Sequence, residues 1–294
     1  MLFFMAEGRL GNQIFQYAFL KNILKKNELL VTSGFEELNE VFLLNDFINI
    51  NNKKIINRII LYKIIRLILL FLSYIRIISS ISINREKVLE KYTRETVSYS
   101  KTDGLINAFI YVKLGFFQSE QFFCNKLVEN FKIKDVYLKE AKLFLMQVPE
   151  DTHKVFIHIR RGDFKDYKVY GKSTLLPLEF FRKQIEWFKI NKEKPFFIFF
   201  SDDTEFVENE FQNIENKIIS SNNHFGTDLS IMSECQSAIL SPSSFGWWGS
   251  YLMKDRDTVF VPRFWLGFNS NENYHAESIT KYMIAVDVNK MEYK

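Results

Sequence analysis

The chain predicts an α/β fold whose second half is a doubly wound parallel sheet. Three observations carry this reading. Short apolar runs recur at residues 155–159, 196–200, 218–220, 238–240 and 259–261, each of strand length. Stretches of helical periodicity separate several of them, from about 177 to 190 and from about 227 to 235. Polar clusters follow three of the runs: His158 to Asp163, Ser201-Asp202-Asp203 and Ser241 to Ser244. Such alternation argues for parallel strands joined by right-handed crossovers, with ligands held at the carboxyl edge.

Taken in order, residues 2–5 read as a short buried strand, followed by the turn Glu7-Gly8-Arg9-Leu10-Gly11-Asn12-Gln13. A helical run continues through Ile14, Phe15, Ala18, Phe19, Ile23 and Leu24. Asn12 is the candidate N-cap, and Gly8 and Gly11 let backbone approach a ligand. The turn lacks the G-x-G-x-x-G spacing of a dinucleotide site, and turns of this kind often only connect. Arg9 adds a cation suited to an anionic ligand or leaving group.

Between residues 53 and 87 the character changes. Lys53, Lys54, Arg58, Lys63, Arg66, Arg76, Arg85 and Lys87 stand against the single acid Glu86, so the basic surplus of the chain is local. At about 100° per residue, Arg58, Lys63, Arg66, Ser73 and Arg76 fall within an arc of roughly 140°, and the rest is Ile, Leu, Phe and Tyr. The longest uncharged run, 67–75, is less than half of the roughly 20 residues a membrane span needs. Two readings stay open: a helix packed in the domain core with snorkelling cations, or an interfacial helix drawn to anionic lipid. Nucleic-acid binding is disfavoured, since no recognised motif accompanies the charge.

Residues 109–117 suggest a strand ending at Gly115, and 120–128 and 138–147 suggest helices. Pro149-Glu150-Asp151 then breaks the apolar pattern. The expected domains are therefore 1–150 and 151–294.

The composition is that of an ordinary globular chain: 294 residues, 47% hydrophobic, 25% charged and a formal net charge of +4. Cys124 and Cys235 lie far apart without a Cys/His cluster, which points away from a disulfide framework or structural zinc. The start, Leu2-Phe3-Phe4-Met5 and then Glu7, lacks the basic and long apolar regions of a signal peptide, so a cytoplasmic location is expected.

Arginine's planar fork suits phosphate, so Arg160 and Arg161 at a strand end read as a receptor for a phosphorylated ligand. Ser243 and Ser244 precede a helix and can either hold a phosphate at its positive end or simply cap it. Asp202 and Asp203 can chelate magnesium, but an acidic pair between strand and helix more often caps. A literal D-x-D, Asp255-Arg256-Asp257, precedes a strand and belongs at the opposite edge, so no metal is expected. His158 has three readings: general base, ligand contact or hydrogen-bonded core histidine. Two neighbouring cations disfavour its protonated form. Together these groups suit a diphosphate leaving group beside fixed positive charge, as a nucleotide sugar would supply.

Four blocks, GRLGNQIFQYAF at 8–19, HIRRGDF at 158–164, FSDD at 200–203 and DLSIMSECQSAILSPSSFGWWGSYL at 228–252, resemble the bacterial α-1,2-fucosyltransferases and the wider α-1,2/α-1,6/protein-O-fucosyltransferase superfamily. The resemblance implies a GT-B architecture, two Rossmann-like domains facing across a cleft. It implies no metal or cofactor, GDP-β-L-fucose as donor and inversion to an α-linkage on the 2-hydroxyl of a galactose-type glycan, free or lipid-linked. By motif, Arg160 would hold the β-phosphate, His158 and Asp228 would contact guanine, and Ser244 would touch phosphate between Ser243 and Phe245. Arg161 and Asp163 would organise the loop. Arg9 and Asn12 would belong to the acceptor-facing domain, with Arg9 also counted toward the donor. Glu7, Asn12 and Asp163 are the candidates for orienting the acceptor hydroxyl. Pro242 and Gly246 stand where related sequences often carry Asn and Ser. The resemblance does not account for the 53–87 segment, whose reading as a peripheral membrane contact at the inner face of the cytoplasmic membrane stays open.

Overall fold

The computed structural model describes residues 1–50, 58–128 and 131–293; Lys53 and Lys54 lie outside them. The chain divides into two compact units, one holding residues 1–87, 93–132 and 275–277, the other 88–92, 133–274 and 278–294.

The first unit begins with β1 (Leu2–Met5), α1 (Leu10–Ile23), β2 (Leu30–Ser33), α2 (Glu36–Val41) and β3 (Ile48–Asn49). It continues with α3 (Arg58–Tyr74), β4 (Ile78–Leu89), β5 (Tyr92–Thr102), β6 (Ile106–Val112) and the single turn α4 (Asn125–Val128). Its sheet runs β3-β2-β1-β6-β4-β5, with β1 parallel to both β2 and β6. The two residues between β4 and β5 can join only antiparallel neighbours.

The expected strand over 109–117 starts and stops earlier, as β6. Phe117 sits instead at φ 51°, with its ring stacked 3.9 Å from Phe19 and edge-on to Phe122, so aromatic packing ends the strand. The helix expected over 120–128 is a 3-10 turn at Glu120–Phe122, capped by Ser119, and then α4. Within 53–87, α3 is followed by Arg76 at φ 57° and then by β4. The end of the basic segment, from Ile78, is therefore strand and not helix, because the Ile-Ser alternation after Arg76 has a period of two.

The orientation of α3 departs further from expectation. Two members of its polar arc face the protein: Arg66 pairs with Glu7, and Ser73 is buried, donating to Leu70 O at 2.8 Å, while Lys63 and Arg76 are exposed. Tyr62, Ile65, Leu69 and Leu72 share that inner face with Met5, Ile78 and Tyr111.

The second unit contains α5 (Asp135–Leu145), β7 (His153–Ile159), β8 (Lys168–Val169), β9 (Lys172–Ser173), α6 (Leu178–Asn191), β10 (Pro195–Ser201), α7 (Thr204–Glu210) and β11 (Lys217–Ser220). Next come α8 (Phe225–Ser233), β12 (Ser237–Leu240), α9 (Ser244–Tyr251), β13 (Val259–Pro262), β14 (Met283–Asp287) and β15 (Glu292–Tyr293). The sheet order is β11-β10-β7-β12-β13-β14-β15, parallel except at β15. The sheet thus extends two strands beyond 259–261, the last one expected.

α5 falls in this unit, although a boundary near residue 150 would assign it to the first. Gly226 explains why: a Cβ there would lie 2.9 Å from the Tyr137 ring, and Thr227 hydrogen-bonds Glu140. That close approach ties α5 to α8.

Alternation along the strands sets the two faces. Val155, Ile157, Ile159, Phe197, Phe199 and Ile239 pack with Phe180, Phe181, Phe188 and Val207 of α6 and α7. His158, between two of these residues, faces the other way.

Candidate active site

β7 is the turning point of the second sheet. From it the chain crosses to β10 and β11 on one side, then returns to β12 on the other, so the loops leaving β7 and β12 part toward opposite faces. A crevice at such a switch point is where doubly wound sheets bind ligands. The register brings the ends together: His158 pairs with Phe200 and Leu240, and Ile159 with Ser201. The three polar clusters read from sequence therefore leave one edge side by side. Asp255 to Asp257 precede β13 and lie at the other edge.

Beyond Ile159 the backbone is held by its neighbours: Arg160 N donates to Ser241 Oγ at 2.9 Å, and Arg161 N to Asp202 Oδ1 at 2.9 Å. The Arg160 guanidinium meets Asp163 through Nε at 2.8 Å and Nη2 at 2.7 Å, and Asp202 through Nη1 at 3.0 Å. Its Nε–H is committed to Asp163, while the two amino groups, ion-paired with Asp163 and Asp202, carry further N–H groups that can donate elsewhere. Arg161 takes another path. Its guanidinium lies 3.3 Å from the centroid of the Phe206 ring and 3.3 Å from Asp203, so it fastens the loop to the start of α7.

Asp203 also caps α7, accepting from Phe206 N at 3.4 Å, and Lys165 approaches it at 3.1 Å. That ammonium and then Arg161 hold its carboxyl below the usual range. Arg160, Arg161 and Lys165 face Asp163, Asp202 and Asp203, so the cluster is balanced in charge. The Asp202-Asp203 pair caps a helix and positions arginines, and among the described residues no group of His, Cys, Asp and Glu has the arrangement to hold a metal ion.

His158 is 6% exposed. Burial, and then the Arg160 charge, lower its pKa to about 4, so the imidazole is neutral at physiological pH. Its Nδ1 is buried without a hydrogen bond among the described residues. Gly246 backs the ring: a Cβ there would lie 3.0 Å from the imidazole, a contact tight enough to push the ring by a few tenths of an ångström. Ser243 occupies the N-cap of α9, its Oγ accepting from Phe245 N at 3.3 Å, and the ring of Phe245 lies 6.0 Å from that of His158. The amides of the first turn, at Ser244 and beyond, point out of the helix toward any anion at its end.

Asp228 stands in the first turn of α8, accepting from Ser220 Oγ at 2.5 Å, while Asn223 Nδ2 donates to that same hydroxyl at 2.8 Å. Burial raises its carboxyl to about 7, with the Ser220 bond opposing the shift. Sequence reasoning singled out Asp228 but missed Ser220 and Asn223. Their signal was the placement of a strand end and a turn eight and five residues ahead of it.

In the first unit the turn before α1 is stapled by side chains. Gln13 Nε2 donates to Gly8 O at 3.0 Å and its Oε1 accepts from Leu38 N at 2.9 Å; Gln16 Nε2 donates to Glu7 O at 3.0 Å. Arg9, and not Asn12, occupies the N-cap position, without a side-chain cap bond. Glu37 takes the capping role, accepting from Leu10 N at 2.6 Å, which moves the helix start ahead of Asn12. Asn12 Oδ1 accepts instead from Gln118 Nε2 at 2.8 Å.

Comparison with known proteins accords with these motifs. An Escherichia coli protein named O-antigen biosynthesis glycosyltransferase WbnK is 26% identical over 306 aligned positions, covering 92% of this chain and 97% of its own. The Escherichia coli alpha-1,2-colitosyltransferase is 28% identical over 278, covering 88% and 90%. Galactoside alpha-(1,2)-fucosyltransferase 1 of Alouatta belzebul is 25% identical over 152, covering 46% of this chain and 40% of its own. Among solved structures, POFUT1 in complex with GDP-fucose matches with a TM-score of 0.52 at 12% identity, covering 88% and 97%. That likeness is one of fold, mixed α/β with parallel-rich sheets of the GT-B type. A family model described as glycosyl transferase family 11 matches residues 1–282, and the chain belongs to that family.

Proposed function

We propose that the protein transfers L-fucose from GDP-β-L-fucose to the 2-hydroxyl of a galactose-type residue on a surface glycan, with inversion and without a metal ion or cofactor. The observation that carries the reading is the convergence of His158, Arg160 and the α9 N-terminus at the switch point of one parallel sheet. The diphosphate takes N–H groups of the Arg160 amino nitrogens and the first-turn amides of α9, near Ser243, Ser244 and Phe245. Negative charge then develops on the leaving group beside a cation already fixed by Asp202, so little reorganisation is needed. Asp228 accepts from the guanine N1–H and amino group, and neutral His158 adds a contact to the base. Asp163 is the candidate for orienting the acceptor hydroxyl. Glu7 is assigned to its ion pair with Arg66.

The alpha-1,2-colitosyltransferase covers far more of this chain than the fucosyltransferase does. This favours GDP-colitose as the second reading; colitose is fucose without its 3-hydroxyl. Nucleotide release should be followed with GDP-fucose, GDP-colitose and other sugar nucleotides, with and without β-galactosides, in EDTA. GDP release that needs both GDP-fucose and a galactoside supports the first reading. Faster turnover of GDP-colitose replaces it with the second, and loss of activity in EDTA removes the metal-free mechanism. No turnover with any donor would make the protein a binding module for glycan or membrane.

A further inference from the structure

We propose that the outward face of α3 is a membrane-docking surface that beds into a bilayer containing anionic lipid. The inference does not rest on the identity of the transferred sugar. At 100° per residue, Leu67, Phe71, Ile64, Ile75 and Ile68 span roughly 100° of the helix. They are 65%, 61%, 47%, 43% and 52% exposed, so this is a continuous apolar stripe in solvent. Tyr74 extends it at 84%, and Leu105, whose N–H donates to Arg76 O at 2.9 Å, extends it beyond the helix end at 86%.

The inner face makes the arrangement unlike ordinary core packing. Arg66 and Ser73 are turned inward, while the most apolar arc points out. A helix with apolar residues on its outer arc as well as its inner one is stable where apolar surroundings meet both sides, and contiguous exposed patches of this kind mark interaction sites.

Charge selects the occupant. The sequence has no acidic residue between Asp46 and Glu86, whereas Lys53, Lys54, Arg58, Lys63 and Arg76 fall in that stretch. Lys63 and Arg76 are exposed beside the stripe. A convex rod about 25 Å long, apolar along one side and basic at its borders, fits a lipid interface, where such a face sinks roughly 5–10 Å. No helix among the described residues is long and apolar enough to cross a membrane, which leaves the in-plane mode.

The test is sedimentation of the full chain with phosphatidylcholine vesicles, with and without phosphatidylglycerol. The wild type should bind the anionic vesicles. The exposed double variant Leu67→Glu/Phe71→Glu should lose about tenfold or more of that binding, and Lys63→Glu/Arg76→Glu should lower it most at low salt. Circular dichroism checks that each variant is folded. In a variant without added charge, the indole of Phe71→Trp should be quenched by brominated acyl chains more than the native tryptophans are. Equal binding by wild type and Leu67→Glu/Phe71→Glu, or no binding at low salt, overturns the proposal. So does a dimer that the same variant dissociates without any vesicle binding, which would assign the stripe to a second copy of the chain.

Discussion

The carboxyl edge of the second sheet and the helix α3 break the inside-out rule in opposite senses. At the sheet edge polar groups are drawn in: His158 is buried and neutral, Asp228 is half-buried, and Arg160 is committed to two carboxylates. On α3 apolar groups are left out, with Leu67 and Phe71 more than half exposed. Burying a polar group and exposing an apolar one are each unfavourable alone. The first arrangement suits a small charged ligand that completes the hydrogen bonding, and the second an extended apolar partner. The difference teaches that a departure from ordinary burial carries the chemistry of what relieves it.

The largest effect is expected at the sheet edge. Arg160→Ala should lower kcat by about 10²- to 10³-fold with the fold intact, because a preorganised donor to the leaving group is lost. Near-normal kcat, with thermal unfolding unchanged, would confine Arg160 to holding Asp163 and Asp202. Next, Asp228→Asn should weaken GDP by roughly tenfold to a hundredfold, the range for hydrogen bonds to a charged group. Guanine favours the carboxylate, whose pKa is about 7, so wild-type affinity should rise as pH increases through 7. Titration calorimetry across that range should show the variant lacking this component; the phosphate's own titration is common to both proteins. Equal weakening of GDP and simple phosphate would reduce Asp228 to a structural role.

The same two groups predict opposed stability slopes. His158, lowered to about 4, contributes stability present above its ordinary 6.5 and lost as pH falls toward 4. Asp228, raised from 3.8 to about 7, contributes stability present below 3.8 and lost as pH rises toward 7. Between about 4 and 6.5 these contributions oppose each other. His158→Gln should therefore become less stable as pH rises through that window, and Asp228→Asn more stable, each by about 1 kcal/mol per pH unit. Urea unfolding at several pH values reads the slopes, and identical slopes in both variants would deny the coupling. The smallest effect belongs to α3. Leu67→Gln and Phe71→Gln should change folding stability by no more than about 0.5 kcal/mol. A larger loss in urea would mean that the stripe is packed, and would weaken the contrast drawn here.

The second unit was the more legible in sequence. Its central strands are largely buried apolar runs, and the polar residues that interrupt them, His158 to Asp163 and Ser241 to Ser244, mark their ends without help from tertiary contacts. What escaped depended on those contacts. The Arg160 pairing with Asp202 joins residues 42 apart in number, and no local pattern reports which carboxylate a guanidinium finds. Asn12 looked like a helix cap until Glu37 took the amide of Leu10 from another element. Ile78–Leu89 was hidden because its strand follows α3 within a few residues and its Arg85 and Lys87 continue the same basic surplus. The helical wheel grouped Arg66 and Ser73 correctly, but periodicity alone does not say which arc faces the sheet. Glu7 decided that by giving Arg66 an inward partner.

Three carboxylates opposite three cations in the loop after β7 also bear on what the empty protein ignores. A site with a large positive excess would gather inorganic phosphate and polyphosphates, whichever cargo they lacked. Here Asp163 and Asp202 already offset the Arg160 charge, so a bare phosphate gains little on entry. Discrimination is thereby handed to the rest of the incoming molecule, and a nucleotide without its matching base should compete weakly even when abundant.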